Sequence, residues 1–492
     1  MALIEISHVS FAYEGSDVPV FQDVSVRLDT SWRLGFLGRN GRGKTTLLRL
    51  LMGEGEYQGS ISAPESFDYF PLSIPDGSMD GLEAARRLRP GLELWRLQRE
   101  LNRLGLGEGV LHRPFESLSN GERTRFLLAL LFLQEGRFPL IDEPTNHLDL
   151  RGRELAADYL AGKEGFILVS HDRAFLDRCV DHVLVFNRTG LEVQRGNFST
   201  WWENKKRRDQ CERMEQDRLK KDIRRLDEAA RRTAGWSDAA ERAKKGTRNS
   251  GLRPDRGFLG HKAAKLMKRA KAVEERRQSA AEEKAGLLRD LETAAELKLH
   301  PLSHPQRRIL EVKDLCVDYG GGPVCPPLSF TLERGERVAL RGPNGAGKSS
   351  LLKLLLGQEI PHTGTVWLAG GTQISYVPQD ASFLRGDLRT FIRESGLDES
   401  LFKAVLRKLD FQRTQFEKDM ADYSDGQKKK VLLARSLCQP SHLYLWDEPL
   451  NFVDVYARMQ IEDLLLTYQP TMIFVEHDRA FTEQVATSVV EL

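Results

Sequence analysis

The sequence predicts an α/β protein in which two tandem copies of one domain are joined by an antiparallel α-helical hairpin. Four sequence blocks occur twice and in the same order, so the chain is an internal duplication. Each copy passes from apolar, strand-like runs through a glycine-rich loop into a helix-like segment, which is typical of a largely parallel sheet. The segment between the copies is rich in Ala, Glu, Lys and Arg, as long helices often are.

The four repeated blocks define the two domains. FLGRNGRGKTTLLRLLMGEG recurs as LRGPNGAGKSSLLKLLLGQE, and LSNGERTRFLLALLFL recurs as YSDGQKKKVLLARSLC. Further along, FPLIDEPTNHLD recurs as LYLWDEPLNFVD, and GFILVSHDRAFLD recurs as TMIFVEHDRAFTE. We therefore predict a first domain over residues 1–199, a linker over 200–305 and a second domain over 306–492.

The linker is predicted to consist of two helical arms that pack on each other. Leu219, Ile223 and Leu226 lie at helical spacing on the first arm, and a similar apolar stripe on the second arm begins at Leu266. Each stripe needs an apolar partner, and the other arm can supply it. Glycines between residues 246 and 260 interrupt the helices, so this stretch is predicted to form the tip of the hairpin.

Positive charge is concentrated in this linker. The whole chain has a net charge of only +2, yet residues 205–290 contain 27 basic and 15 acidic side chains, which leaves 46 basic and 56 acidic elsewhere. Such an excess suits a polyanion such as nucleic acid, although a solvated helical face is the alternative interpretation. The residues predicted to contact RNA at the tip are Lys244, Lys245, Arg248, Arg253, Arg256, Phe258, Leu259, Lys262 and Lys265.

Composition argues against a membrane or secreted protein. The five cysteines are scattered without a CxxC pair, which indicates reduced thiols in a cytosolic protein rather than disulfides or metal ligands. No apolar run approaches the ~20 residues that a membrane-spanning helix needs. The N-terminus lacks the pattern of a signal peptide. We therefore expect a cytoplasmic protein that does not itself form a membrane channel.

Each copy contains a P-loop, the phosphate-binding motif GxxxxGK[ST], between an apolar strand and a helix. Its glycines let backbone N–H groups surround phosphate oxygens, and the helix N-terminus adds positive potential. Lys44 and Lys348 are predicted to reach the β- and γ-phosphates of ATP, and Thr45 and Ser349 to bind Mg²⁺. The other predicted ATP-binding residues of the two loops are Gly38, Asn40, Gly41, Gly43 and Thr46, and Gly342, Asn344, Gly345, Gly347 and Ser350.

Acidic residues follow a buried strand in each copy. Asp142 and Asp447 are predicted metal ligands, and the adjacent Glu143 and Glu448 can act as general bases on the attacking water. One acidic pair is weak evidence, but each pair lies about 100 residues after a P-loop.

Two histidines and two tyrosines occupy matching positions in the copies. His171 and His477 each end an apolar strand and are predicted to sense the γ-phosphate. Tyr13 and Tyr319 precede the P-loops and either stack on adenine or are ordinary strand aromatics.

Taken together, these motifs resemble those of the ATP-binding cassette (ABC) superfamily. The resemblance includes two signature segments, Leu118–Glu122 and Tyr423–Gln427, and covers the whole chain. It implies two tandem ABC-type nucleotide-binding domains that form a head-to-tail sandwich with both ATP sites within one chain, as a monomer. ATP on Lys44 would face Ser424 and Gly426, and ATP on Lys348 would face Ser119 and Gly121.

Two cassettes joined by a charged linker, without membrane spans, resemble the ABC-F class of translation factors. WDEPLNFVDVYARMQIE and the basic linker tip are similar to Lsa/Vga-type ribosomal protection proteins. This resemblance implies binding at the E site of the 70S ribosome, with the linker directed along P-site tRNA and 23S rRNA toward the peptidyl-transferase centre. It further implies displacement of lincosamides, streptogramin A and pleuromutilins there, and release on ATP hydrolysis.

Departures from the family pattern leave other interpretations. Gln379 matches the Q-loop glutamine and is a predicted metal ligand, but Leu72 stands at its place in the first copy, so we expect slower hydrolysis at the Lys44 site.

One alternative is a housekeeping ABC-F factor that remodels stalled or initiating ribosomes. The 75 positions between Lys44 and Ser119 leave no obvious room for the arm insertion of such factors. Another alternative, the ATPase subunit of a transporter, gives the basic hairpin no role.

Overall fold

The computed structural model describes most of both repeats and the two ends of the linker. The described residues are 2–13, 19–74, 76–187, 190–212, 214–215, 217–218, 221, 224–225, 297–319 and 326–492. The chain divides into two compact units, one formed by residues 1–201 with 294–492 and the other by residues 202–293. The first unit contains both repeats, which we call cassette 1 and cassette 2.

Cassette 1 contains a small antiparallel sheet and a larger, mostly parallel one. The small sheet has the strand order β2-β1-β4, and the large sheet has the order β5-β6-β7-β3-β8-β9 with only β9 antiparallel to its neighbour. The strands are β1 (Leu3–Phe11), β2 (Phe21–Asp29), β3 (Arg33–Leu37), β4 (Gln58–Ser62), β5 (Ser66–Phe70), β6 (Arg137–Asp142), β7 (Phe166–Val169), β8 (His182–Asn187) and β9 (Gly190–Arg195). The helices are α1 (Lys44–Leu51), α2 (Gly81–Leu88), α3 (Leu94–Arg103), α4 (Asn120–Leu131), α5 (Leu150–Ala161) and α6 (Arg173–Cys179).

Cassette 2 repeats this arrangement. Its small sheet has the order β11-β10-β13, and its large sheet has the order β14-β15-β16-β12-β17 with every pair parallel. The strands are β10 (Arg308–Val317), β11 (Leu328–Glu333), β12 (Arg337–Arg341), β13 (His362–Leu368), β14 (Ile374–Val377), β15 (Leu443–Asp447), β16 (Met472–Val475) and β17 (Ser488–Glu491). The helices are α7 (Lys348–Leu355), α8 (Leu388–Glu394), α9 (Glu399–Lys408), α10 (Asp425–Cys438), α11 (Val455–Tyr468) and α12 (Arg479–Val485).

The central strands are buried because both faces of each large sheet are covered, one of them by the small sheet together with the helix that follows the P-loop. All four residues of β7 and all four of β16 are buried, as continuous apolar runs in parallel sheets usually are. Their carboxyl ends carry the polar residues of the predicted sites. In such sheets ligands bind beyond the carboxyl ends of the strands, so the fold gathers these residues at one edge of each cassette.

Both signature serines begin a helix. Ser119 accepts a hydrogen bond from the backbone of Glu122, and Glu122 caps Ser119 in return at the start of α4. Ser424 and Gln427 form the same reciprocal pair at the start of α10. The first signature can therefore have Glu where the second has Gln, because either side chain completes the capping box.

The linker predictions concern residues that are almost entirely outside the described part of the chain. Residues 198–212 are helical. The apolar stripes of both arms and all nine predicted RNA-contact residues at the tip lie outside the described residues, so the hairpin and the predicted domain boundaries remain predictions. No described helix is both long enough and apolar enough to cross a membrane.

Candidate active sites

The P-loop of cassette 1 can form only because Gly43 precedes the helix. Gly43 has φ of 90°, and a Cβ there would lie 2.5 Å from Val20 Cγ1 and 2.8 Å from the Phe21 ring. Lys44 begins α1 and folds back over the loop, where its Nζ donates to the carbonyl oxygens of Gly38 at 2.6 Å and Arg39 at 3.2 Å. The loop thus encloses a buried cation, which favours binding of an anion.

The P-loop of cassette 2 has the same conformation. Gly347 has φ of 85°, and Lys348 Nζ donates to the carbonyl oxygens of Gly342 and Pro343, both at 2.8 Å. Both P-loop lysines are 7% exposed, and burial lowers the pKa of each. Within the loops these buried ammonium groups contact only carbonyl oxygens, and a bound phosphate would supply the negative charge that compensates them.

The predicted metal ligands of cassette 1 are brought together. Thr45, the first residue after the P-loop lysine, donates through Oγ1 to Asp142 Oδ2 at 2.8 Å at the end of β6. Tyr69 donates to the same carboxylate oxygen at 2.9 Å. Tyr69 lies on the neighbouring strand β5 and was not predicted as a site residue.

Cassette 2 pairs Ser349 with Asp447 by a side-chain hydrogen bond. Asp447 is 1% exposed, and within the described part of the chain its Oδ1 has no hydrogen-bond partner. Hydroxyl and carboxylate oxygens are ligands that Mg²⁺ prefers, so both sets fit this ion. Among the described residues there is no cluster of three or more His, Cys, Asp or Glu side chains that could hold a metal alone. Nucleotide phosphates and water would complete the coordination, as is usual for Mg²⁺.

The two predicted general bases have the same geometry. Glu143 and Glu448 have φ of 49° and 46°, a left-handed conformation that is uncommon outside glycine and often marks functional positions. His171 Nε2 lies 3.3 Å from Glu143 Oε1, and His477 Nε2 lies 3.3 Å from Glu448 Oε1. The structure thus brings each predicted base next to its predicted sensor.

The environments of these two glutamates differ. Burial raises the pKa of Glu143 to about 8, and the adjacent Asp142 adds to the effect. Burial also disfavours ionisation of Glu448, but hydrogen bonds from His477 and Gln379 outweigh it and lower its pKa to about 2. Gln379, predicted as a metal ligand, therefore contacts the general base of its site, and Leu72 offers cassette 1 no such hydrogen bond.

Two further side chains near Glu448 were not found from the sequence. Asn451 donates from Nδ2 to Glu448 Oε2 at 2.6 Å. Lys429 donates to the backbone carbonyls of Pro378 at 2.9 Å and Glu448 at 3.1 Å, which ties the Q-loop to the catalytic strand end. The EPTN/EPLN repeat could have identified Asn451, because its asparagine is kept while its neighbour changes.

The P-loop of cassette 1 contacts cassette 2 directly. Asn40 donates from Nδ2 to the backbone carbonyl of Phe452 at 2.7 Å, while its Oδ1 lies 3.0 Å from His171 Nε2. A Cβ at Gly426, in the second signature, would lie 3.3 Å from Asn40 Nδ2. Asn40 therefore connects the P-loop, the sensor histidine and the opposite signature segment, as the head-to-tail prediction requires.

The reciprocal side is less closely packed. A Cβ at Gly121 would meet His147 O at 3.3 Å and Leu148 at 3.9 Å, both in cassette 1. Asn344 is exposed, whereas Asn40 is partly buried. The placement of Ser119 and Gly121 opposite Lys348 therefore stays a prediction.

A cavity of about 280 Å³ lies against the first P-loop, lined among others by Tyr13, Asn40, Lys44, Glu143 and His171. The hydroxyl of Tyr13 is 2.7 Å from Thr46 Oγ1 and its ring is half exposed. Tyr319 likewise donates to Ser350 at 2.8 Å and is 60% exposed. Stacking of either ring on adenine remains a prediction. These hydrogen bonds hold both rings beside their P-loops.

Comparison with known proteins places these sites in a family. The ABC transporter family model matches residues 21–146 and 325–451. The chain is 27% identical over 500 residues to the ribosome protection protein VmlR of Bacillus subtilis strain 168, with 99% of this chain and 86% of VmlR covered. It is 30% identical over 490 residues to the ATP-binding protein Uup of Caulobacter vibrioides, with 96% and 75% covered.

A solved structure confirms the predicted fold class. The archaeal ribosome recycling factor aABCE1, solved in complex with the ribosomal stalk protein aP1, matches with a TM-score of 0.63. The match covers 98% of this chain and 87% of the other at 19% identity.

Proposed function

This chain belongs to the ABC-F family of ATP-binding proteins and is an ATPase, and on that premise we propose that it binds the 70S ribosome and protects it from antibiotics. ATP would close the two cassettes, and the closed form would bind at the ribosomal E site. The linker would then reach along P-site tRNA and 23S rRNA and displace lincosamides, streptogramin A or pleuromutilins from the peptidyl-transferase centre. The protein would act in the cytoplasm as a monomer, in the manner of Lsa/Vga-type proteins and without a membrane partner.

The observation that carries this proposal is the contact of Asn40 with cassette 2. A nucleotide held by Lys44 would lie between the first P-loop and the second signature, next to Ser424 and Gly426. The γ-phosphate is then available to groups from both cassettes, and its loss would remove the contacts that join them. This supports an ATP-dependent clamp whose closure and opening can be coupled to binding and release of a large partner.

Each group of site residues would have its own role in ATP hydrolysis. Lys44 and Lys348 hold the phosphates, and Thr45 with Asp142, or Ser349 with Asp447, would hold Mg²⁺. Bound Mg²⁺ would neutralise phosphate charge as it develops. Glu143 and Glu448 would accept a proton from the attacking water. His171 and His477, within 3.3 Å of these carboxylates, are placed to orient that water and the γ-phosphate.

Ribosome protection is supported by the linker composition and by one relative. Residues 241–270 contain 10 basic and 2 acidic side chains, which suits contact with RNA phosphates. VmlR, matched over nearly the whole of this chain, is named a ribosome protection protein. Phe258 and Leu259 at the predicted tip are apolar side chains that could stack on bases or occupy space near a bound drug.

A housekeeping ABC-F factor that remodels stalled or initiating ribosomes is the second candidate. It is favoured by the higher identity to Uup, which is named only as an ATP-binding protein. The two candidates share the ATPase and differ in whether drug resistance follows from expression.

Antibiotic susceptibility of a sensitive host separates them. Expression of the wild-type chain should raise the inhibitory concentrations of the three drug classes severalfold. Glu143→Gln with Glu448→Gln should abolish this protection, because the trapped protein cannot leave the ribosome. Replacing Arg253, Arg256 and Phe258 with Ala should reduce protection without reducing ATP hydrolysis. Unchanged susceptibility with the wild-type chain, at confirmed expression, would rule out ribosome protection and leave the housekeeping role.

A further inference from the structure

The two ATP sites differ in how the cassettes are joined beside them. We propose that two ion pairs, Arg39–Asp410 and Arg173–Glu462, act as locks that hold the Lys44 site closed, so that this site retains nucleotide while the Lys348 site exchanges it. This inference rests on the proposed binding of ATP between the cassettes. It adds two arginines as positioning residues of the clamp.

The first lock joins the P-loop itself to cassette 2. The Arg39 guanidinium lies 3.3 Å from Asp410 Oδ1 and 5.6 Å from the centroid of the Tyr456 ring. The side chains of Arg39 and Asp410 are 17% and 28% exposed, so water screens the pair only in part. Opening the cassettes at the Lys44 site would separate this pair and would also break the hydrogen bond from Asn40 to Phe452.

Neither member of the first lock exists at the Lys348 site. The repeat aligns Arg39 with Pro343. Helices α3 and α9 each have ten residues, and the residues that follow their C-caps, Gly105 and Asp410, both have positive φ, 67° and 61°. Gly105 is therefore the structural counterpart of Asp410. Proline and glycine cannot form an ion pair.

The second lock is buried between helices of different cassettes. Arg173 begins α6, two residues after the sensor His171, and its Nη2 lies 2.5 Å from Glu462 Oε2 on α11. Their side chains are 7% and 6% exposed. Removing either partner would leave the other charge buried and unpaired in the closed form, so the intact pair is needed to hold α6 against cassette 2.

The counterpart of the second lock is weak. Arg479 corresponds to Arg173 in the repeated HDRAF segment, but Ala157 corresponds to Glu462. Arg479 reaches Glu154 only at 3.5 Å, with side chains 54% and 43% exposed, and it also pairs with Glu483 of its own helix at 2.7 Å. An exposed pair of this kind contributes little.

A cleft lies where the second lock would be on the Lys348 side. It has a volume of about 320 Å³ and is lined among others by Glu154, Ala157, His477 and Arg479. The cassettes are therefore less tightly joined beside His477, whereas the equivalent place beside His171 is filled by a buried ion pair. Both differences trace to residue types at matching positions of the repeat, so they belong to the sequence and not to one conformation alone.

The test is the rate at which nucleotide leaves each site. Asp410→Gly with Glu462→Ala gives cassette 2 the residues that cassette 1 has, and we call it the unlocked variant. It also carries Glu143→Gln and Glu448→Gln, which prevent hydrolysis. Adding Lys348→Ala leaves only the Lys44 site able to bind nucleotide, and adding Lys44→Ala leaves only the Lys348 site. Dissociation of a fluorescent N-methylanthraniloyl ATP is followed by stopped flow during a chase with excess ATP.

Unlocking should accelerate release from the Lys44 site by about tenfold or more, because a buried ion pair is lost. Release from the Lys348 site should change by less than about twofold, as should release from either site after the control substitution Glu154→Ala. In the otherwise locked protein, Arg173→Lys keeps the positive charge beside Glu462 and should keep release from the Lys44 site slow, whereas Arg173→Ala should accelerate it. That contrast distinguishes a lock from a general loss of folding, which thermal denaturation of each variant checks independently.

Equal acceleration at both sites, or none at the Lys44 site, would overturn the locks while leaving the proposed clamp intact. Absence of analogue binding at either single site would overturn the proposed function as well. The measurement uses no ribosomes, so its result does not depend on whether the protein binds the ribosome.

Discussion

The two catalytic glutamates should give the two ATP sites different pH dependence. Glu448→Gln leaves hydrolysis to Glu143, and Glu143→Gln leaves it to Glu448. A general base must be ionised to accept a proton from water. As the pH falls, a base with a raised pKa is protonated first, so its site loses activity at a higher pH than the other site does. The raised pKa of Glu143 and the lowered pKa of Glu448 therefore predict an acid limb near neutral pH in the first variant only.

The size of the effect follows from the two environments. With a pKa of about 8, Glu143 is only about one-tenth ionised at pH 7, and its ionised fraction falls about tenfold for each further pH unit. Glu448, with a pKa of about 2, stays fully ionised from pH 6 to pH 9. The prediction therefore concerns the difference between the two sites and not the absolute pKa of either carboxylate.

Phosphate release measured from pH 6 to pH 9 checks this prediction. The Glu448→Gln variant should gain about tenfold or more in turnover across the range, while the Glu143→Gln variant should vary by less than about threefold. A matched variant tests the cause. Adding Leu72→Gln to Glu448→Gln should move the acid limb to lower pH, because the new amide can donate to Glu143 as Gln379 donates to Glu448. Superimposable pH profiles for the two single-site variants would refute the assignment of unequal bases.

Three further predictions concern the P-loop, the locks and the linker. Gly43→Ala should lower ATP affinity of the Lys44 site by at least about tenfold, measured by titration with fluorescent nucleotide, because the added methyl group overlaps side chains packed under the loop. Glu462→Ala should destabilise the protein by about 3–5 kcal/mol and lower its melting temperature, whereas Glu154→Ala should cost less than about 1 kcal/mol, and equal melting temperatures would contradict this. Replacing Lys262 and Lys265 with Ala should reduce the slope of log affinity for ribosomes against log salt by about 1.5, measured by sedimentation, and an unchanged slope would exclude these residues from RNA contact.

The sequence predicted the parts of the sites that repeat. P-loops, strand-end carboxylates and sensor histidines are short local motifs whose backbone geometry is set by glycines and buried strands, and duplication identified each of them twice. The contact between Asn40 and the second signature was predicted only through the family resemblance. Nothing in the spacing of residues within one cassette indicates which surface of the other cassette it meets.

Other features depend on tertiary contacts that local pattern cannot reveal. Tyr69 donates to Asp142 only because β5 and β6 are neighbours in the sheet, and Arg173 meets Glu462 across 289 positions of sequence. The residue differences behind the two locks are nevertheless visible in the sequence once the contacts are known. Comparison of the two copies position by position shows Arg39 against Pro343 and Glu462 against Ala157, and such differences between repeats indicate where a pseudo-symmetric protein has lost its symmetry.

ATP-dependent binding of the chain to 70S ribosomes tests the central claim most directly. The Glu143→Gln, Glu448→Gln variant should sediment with ribosomes in the presence of ATP and remain in the supernatant without nucleotide, with binding that weakens as salt rises. If the same variant binds ATP but stays in the supernatant at every salt concentration, ATP-driven closure does not place this protein on the ribosome, and the account is wrong.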